Sequence, residues 1–326
     1  MYDLPRKPRQ TGLRGTGPGY GPFMTSTGVV GAALGGAGAA ALSTVLQHRS
    51  AGQAPAGRGL RLGLLARLAR RPMWLAGLLA AGIGLVLNAF ALSRGGLAVV
   101  QPLLLTGLLF ALPLSLALER RRPQLAEWAW AALLVAGLAG FLVIARPSAG
   151  YVPSDTDALG TVIAAGGTAA AGALALARRY PMHRGPLIGV AGGVAYGMTA
   201  ALIKQVVTFA GGLAAVPLRW PTYALIVVGA AAIALSQTAY QAGPIASSLP
   251  HLTMAELLTG ISLGVIVFHE NLTHTPLALA TEGLCLLGVG VAVLALARMQ
   301  NTRPAALAIP APLALVSVGD RGEQDV

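Results

Sequence analysis

Glu256 is the residue of this 326-residue sequence whose position most demands a chemical explanation. It stands thirteenth in the 25-residue apolar segment 244–268. An ionised carboxylate at the centre of a bilayer costs ~2.5–3.5 kcal/mol on insertion scales. Such a group must face a bundle interior or a wet cavity, or carry a proton, and a carboxyl so placed suits proton coupling. Thr253 and Thr259, three residues to either side, share its helical face. The alternative is a protonated structural Glu that bonds a neighbouring helix. Glu282, seventh in segment 276–297, lies about 9 Å along its helix, within hydrocarbon or at its edge. His251 follows Pro250 and is five residues from Glu256, on a different face, so the two form no dyad.

Neutral polar groups make a second set. Gln237, Tyr240 and Gln241 end one span, and Asn88 and Gln101 are their rough counterparts in the first half. They suit a polar metabolite, or hydrogen bonds between helices worth ~0.6 kcal/mol each. Pro102 and Pro250 occupy matching places near the starts of two spans. A proline in a first turn is harmless; the other reading is a broken helix whose freed backbone faces substrate. Lys204, near the end of its span, is expected to reach out to the interface. Glu119 and Glu270 terminate spans and are expected there too, with gating as their alternative role.

Other chemistries have no motif. There is no phosphate-binding G-x-x-x-x-G-K-[ST], no H-E-x-x-H and no cluster with metal-ligand spacing. The single cysteine, Cys285, allows no intramolecular disulfide. The scattered Ser, His and Glu form no triad. The expectation is a protein that is not an enzyme and has no cofactor and no metal centre.

The elements that must position these residues follow from composition. Hydrophobic residues make up 55% and charged residues 10%, against ~25% charged in a soluble domain. There is too little polar side chain to cover a soluble globule. The 43 glycines point to closely packed helices in lipid. The net charge of +12 sits mostly in short segments between apolar runs, which suits cytoplasmic loops rather than nucleic-acid binding.

The predicted fold class is all-α, a polytopic membrane bundle of about nine spans. Residues 1–23 read as a disordered tail and 299–326 as another. The first span is 28–46, with a signal peptide as the competing reading. The others are about 73–93, 96–118, 126–146, 157–177, 186–209, 222–240, 244–268 and 276–297. Residues 58–71 carry five Arg among leucines and read as an amphipathic helix on the membrane surface. Fifteen Arg fall on one side of a nine-span chain and seven Lys or Arg on the other. That puts the C-terminus in the cytoplasm and the N-terminus outside, across the cell membrane. Translation from Met24 would remove four opposing charges; the choice between Met1 and Met24 stays open.

An internal repeat supplies the link to function. Ala91, Gly95, Ala98, Pro102 and Leu104 recur as Ala239, Gly243, Ala246, Pro250 and Leu252 at a constant offset of 148. After a three-residue shift Glu119 matches Glu270, and Gly137 matches Gly288. With nine spans the two copies run in opposite directions, which is an architecture of secondary transporters.

The stretches GLAVVQPLLLTGLLFALPLSLALER, AYQAGPIASSLP and LGVIVFHE resemble the drug/metabolite transporter superfamily with its EamA-type repeats. The resemblance implies repeats over 24–149 and 157–298. Here the first has four spans, the place of the second family helix being taken by the Arg-rich 58–71 segment. That layout is similar to the nine-span NIPA-type magnesium transporters. The expected function is secondary transport of a small polar metabolite, amino acid or organic cation by alternating access. A divalent-cation carrier and a non-transporting scaffold or partner subunit are the alternatives. The expected partners are a small-molecule or ion substrate and membrane lipid, with no nucleic acid; a homodimer stays open.

Overall fold

The computed structural model describes residues 27–52, 72–119, 124–147, 150, 157–208, 216–217, 219–242, 245–273 and 275–301. The two tails and the surface helix expected at 58–71 lie outside the described residues, apart from the ends at 299–301. Within them the secondary structure is helical, without strands. The helices are α1 (Thr27–Gly52), α2 (Pro72–Arg94), α3 (Leu97–Leu105), α4 (Gly107–Glu119), α5 (Leu125–Ala145) and α6 (Asp157–Arg179). A 3-10 turn, Pro181–His183, leads into α7 (Arg184–Val207); α8 (Trp220–Ala242), α9 (Ile245–Ile266) and α10 (Pro276–Asn301) follow. By length and composition, eight helices among the described residues are apolar enough to cross a membrane, α3 and α4 counting as one. In hydrocarbon every backbone N–H and C=O must find a partner within the protein, and a helix provides those partners locally.

Local signals set several boundaries. Proline opens α2 and α10, where its missing N–H costs nothing. At the start of α5 the Gln124 N–H donates to Glu127 Oε2 at 2.8 Å, closing a capping box. That helix stops at Arg146, left-handed at φ 41°, just before Pro147. Span 96–118 proves to be two helices. Thr106 donates its N–H to Leu103 O, a tightened turn, and its hydroxyl bonds the same carbonyl at 2.6 Å. Pro102 and Pro250 are each the sixth residue of their helices, beyond the first turn expected from the sequence. Only the first is followed by a break; α9 runs on unbroken.

Glycine sets the packing. Gly36 and Gly84 bring α1 and α2 together antiparallel, each facing the other's backbone oxygen. Gly107 of α4 lies against Ala37 O, with α4 running parallel to α1. The same relations recur in the second half. Gly192 packs on Ser236 and Thr199 on Gly229, so α7 and α8 are antiparallel. Gly189, Gly193 and Gly197 meet Ser248, Leu252 and Thr259 in order, so α7 and α9 are parallel. Between the halves, Gly137 and Gly140 of α5 sit on Val289 and Cys285 of α10, again antiparallel. α6 lies along α7 from Leu159, in a cluster with Met198 and Leu202, to Ala177, which packs with Ile188.

Apolar clusters result among the described residues, two of them large. Val29, Leu92, Leu97, Leu202 and Phe268 belong to one; Leu134, Phe141, Leu257 and Val289 to the other. The outer faces are apolar as well. On α2, Leu79 and Val86 are 67% and 68% exposed, and on α8 Val227 is 68% exposed. A surface of that kind suits hydrocarbon as its solvent.

Candidate functional site

Two buried polar groupings lie in the bundle. The first centres on Glu270, just after α9. Its Oε1 accepts from the Leu97 N–H at 2.6 Å and from Lys204 Nζ at 2.7 Å. Its Oε2 accepts from the Ala98 N–H at 2.8 Å. The carboxylate thus caps α3 from far along the chain, satisfying two donors that a helix start leaves without partners and complementing the helix dipole. The Lys204 ammonium also lies 4.7 Å from the centre of the Phe268 ring. Lys204 and Glu270 are 5% and 2% exposed.

The chain is shaped to admit this carboxylate. A Cβ on Gly96 would lie 2.8 Å from Glu270 Oε2, and one on Gly264 only 2.6 Å. His269, left-handed at φ 51°, reverses the chain after α9, and the Glu270 N–H donates to Gly264 O at 3.0 Å. The expected interfacial placement of Lys204 and Glu270 is therefore corrected. Each finds a partner inside, which removes the reason to reach for water. One signal was present: the span order brings the end of Lys204's span and the Glu270 loop to the same face.

The second grouping surrounds Glu256. Tyr196 Oη lies 3.4 Å from Ser236 Oγ, joining α7 to α8. Tyr196 and Tyr240 are near enough to Glu256 to feel its charge. Gly193 lets the α7 backbone approach so closely that a Cβ there would stand 2.9 Å from Glu256 N. Glu256 is half-buried. Among the described residues no hydrogen bond or ion pair holds its carboxyl. Tyr196 and Ser236 are additions that the sequence did not single out.

The remaining expected residues separate. Gln101 is 3% exposed and rests on Gly260, and its Nε2 has no hydrogen-bond partner among the described residues. Asn88 Oδ1, where α2 meets α1, is likewise buried without a partner. Buried polar atoms of this kind call for a ligand, a water or a conformational role. Glu282 is 5% exposed on α10. His251 is exposed, its Nδ1 2.7 Å from Ser247 O. Gln237 is also exposed, whereas Tyr240 is half-buried. The side chain of Gln241 lies outside the described set. Thr253 bonds its own helix at Leu249 O, 3.0 Å. No group of three His, Cys, Asp or Glu suited to a metal ion occurs among the described residues.

Eight apolar helices with outward-facing hydrocarbon side chains and inward-facing polar groups fit a multi-pass membrane protein. More narrowly, the chain belongs to the family of a protein of Corynebacterium glutamicum described as "Uncharacterized protein Cgl0250/cg0304". The two are 32% identical over 269 residues, covering 81% of this chain and 92% of that one. No family model and no solved structure matches the chain.

Proposed function

We propose that the protein is a secondary transporter that moves a small polar metabolite, amino acid or organic cation across the cell membrane by alternating access. The observation that carries this reading is the half-buried Glu256 carboxyl, without a hydrogen-bond or ion-pair partner among the described residues, in the middle of an apolar helix and near Tyr196 and Tyr240. An acidic group kept in such a place at an insertion cost has its natural use in binding a proton or a substrate.

The packing supports the architecture this requires. α1, α2, α3–α4 and α5 have the contacts of α7, α8, α9 and α10, with α1 parallel to α3–α4 as α7 is to α9. α3 begins, and α5, α7 and α9 end, at one face: Glu270 joins Leu97 to Lys204, and the Thr273 N–H bonds Ala145 O at 3.0 Å. With α5 and α7 both ending there, we read α6, which is not among the eight apolar helices, as a ninth crossing that returns the chain to the far face. The two sets of four then run in opposite senses, as in inverted-repeat carriers. This reading pairs α1 with α7 and places α6 between the repeats, so the second repeat starts near 184 rather than 157. It is compatible with drug/metabolite transporter ancestry. The arginine balance puts the shared face outside and the C-terminus in the cytoplasm.

The test is a ligand screen by thermal shift on the purified protein, followed by uptake into proteoliposomes for compounds that stabilise it. Uptake that is saturable and falls at least tenfold in Glu256→Gln is the expected result. Uptake and pH dependence unchanged in that variant would remove Glu256 from the mechanism. No stabilising compound among polar metabolites, amino acids and organic cations, with no uptake of any, would reject the transporter reading.

A further inference from the structure

We propose that the Glu270 junction is a gate, closed in this conformation, that ties the start of α3 to the second set of helices. The inference rests on the transporter reading and adds the element that moves. α3 is nine residues long, and a one-residue turn at Thr106, with backbone in the right-handed region, is the joint between it and α4. At its other end, which Gly95 and Gly96 join to α2, the Glu270 carboxylate accepts from Leu97 N and Ala98 N.

The clamp joins the two halves. Glu270 and Lys204 belong to the second set of helices, and Leu97 and Ala98 to the first. Parting the sets at this face therefore requires the Glu270 carboxylate to leave either Lys204 or the α3 backbone. The chemistry suits a reversible closure. In a dry site the ion pair and the two charge-assisted hydrogen bonds are strong. Once water enters, both ions recover the hydration they gave up on burial, so the open state is not penalised by stranded charges. A purely apolar clamp would become less favourable on wetting.

The joint is local to the first half. Pro250 occupies in α9 the place of Pro102 in α3, yet α9 is continuous. The first half instead has Thr106 and Gly107, the latter lying against Ala37 O, where a Cβ would stand at 3.2 Å. The buried Gln101 amide is carried on α3, against Gly260 of α9. Moving α3 away from α9 would uncover this side chain first.

The experiment follows that exposure in the full chain. Cys285→Ala removes the one native thiol, and Gln101→Cys places a reporter on α3. Membrane-impermeant maleimide is applied from each face separately. Labelling is expected to be slow in this background. Glu270→Gln or Lys204→Gln should accelerate it at least tenfold from the face where α3 begins, with no acceleration from the other. Lys204→Arg, which retains the charge pair, should stay near the background rate. Where a single variant does not fold, the double change Lys204→Met with Glu270→Gln strands no charge and is expected to label at the fast rate. Equal rates in all folded variants would overturn the gate. No substrate is used, so that result would leave the transporter reading standing; absence of uptake with fast labelling would instead count against transport.

Discussion

The Glu270 carboxylate reaches 173 positions back along the chain to accept the Leu97 N–H at 2.6 Å. It makes Lys204 and α3 depend on each other, because one side chain serves both. Removing one member of a buried ion pair costs about 3–5 kcal/mol, since the other charge is left in the interior. Glu270→Ala and Lys204→Met should each lower stability by roughly that amount. The double variant should lose clearly less than the sum, because neither charge remains to be stranded. Chemical-denaturant unfolding of the detergent-solubilised protein, run as a double-mutant cycle, measures this. Additive losses would mean that the two residues act independently.

The glycines sort into two classes by what a methyl group would meet. A Cβ at Gly197 would stand 2.6 Å from Thr259 Cβ, and at Gly189 2.7 Å from Ser248 O. Gly197→Ala and Gly189→Ala must push α7 away from α9, and overpacking of this sort costs about 1–3 kcal/mol. Gly82, Gly167, Gly172 and Gly283 meet nothing within 4 Å. Alanine at these helical positions should be neutral or gain up to about 1 kcal/mol from lower unfolded-state freedom. Thermal unfolding of the six single variants separates the classes. Equal Tm values throughout would refute the seam.

The membrane bundle and its close helix packing were legible in the sequence because each rests on local composition. Apolar runs of about twenty residues report spans, and abundant glycine reports close packing. The Glu270 junction was not legible in the same way. Lys204 and Glu270 each have an innocuous local reading, and their partnership exists only when α7, α9 and α3 meet. The break at Thr106 was hidden for a related reason. Proline at matching positions suggests equal behaviour in both halves, whereas Thr106 donates to Leu103 in one and α9 continues in the other. Gln237, three positions from Tyr240 on one helix, is exposed while Tyr240 is half-buried, a difference that sequence proximity does not report.

The tyrosines near Glu256 should affect function more than stability. The Tyr196–Ser236 contact at 3.4 Å is long for an O–H···O hydrogen bond, so its loss should cost no more than about 1 kcal/mol. Tyr196→Phe and Ser236→Ala are expected to unfold close to the parent. In the proposed transporter Tyr196→Phe and Tyr240→Phe should each reduce uptake at least fivefold, through loss of a hydroxyl near Glu256. Parallel Tm and uptake measurements decide the matter. Full uptake in both variants would restrict the site to Glu256 alone.

The contact of α5 with α10 gives a direct covalent test of the arrangement of the two halves. A Cβ built on Gly140 would lie 2.9 Å from Cys285 Sγ. In a disulfide the two Cβ atoms are ~3.8 Å apart, and each Cβ lies near the opposite sulfur. Gly140→Cys should therefore form a disulfide with Cys285 under mild oxidation, tying residues on helices from opposite halves. After cleavage of the chain between α5 and α10, the two pieces should migrate together without reductant and separate with it. Gly82→Cys with Cys285 retained, at a position on α2 with nothing within 4 Å, supplies the control and should give no such link. Failure of the Gly140→Cys pair to oxidise while both thiols remain detectable by alkylation would refute the α5–α10 packing, and with it the antiparallel pairing that the proposed inverted arrangement requires.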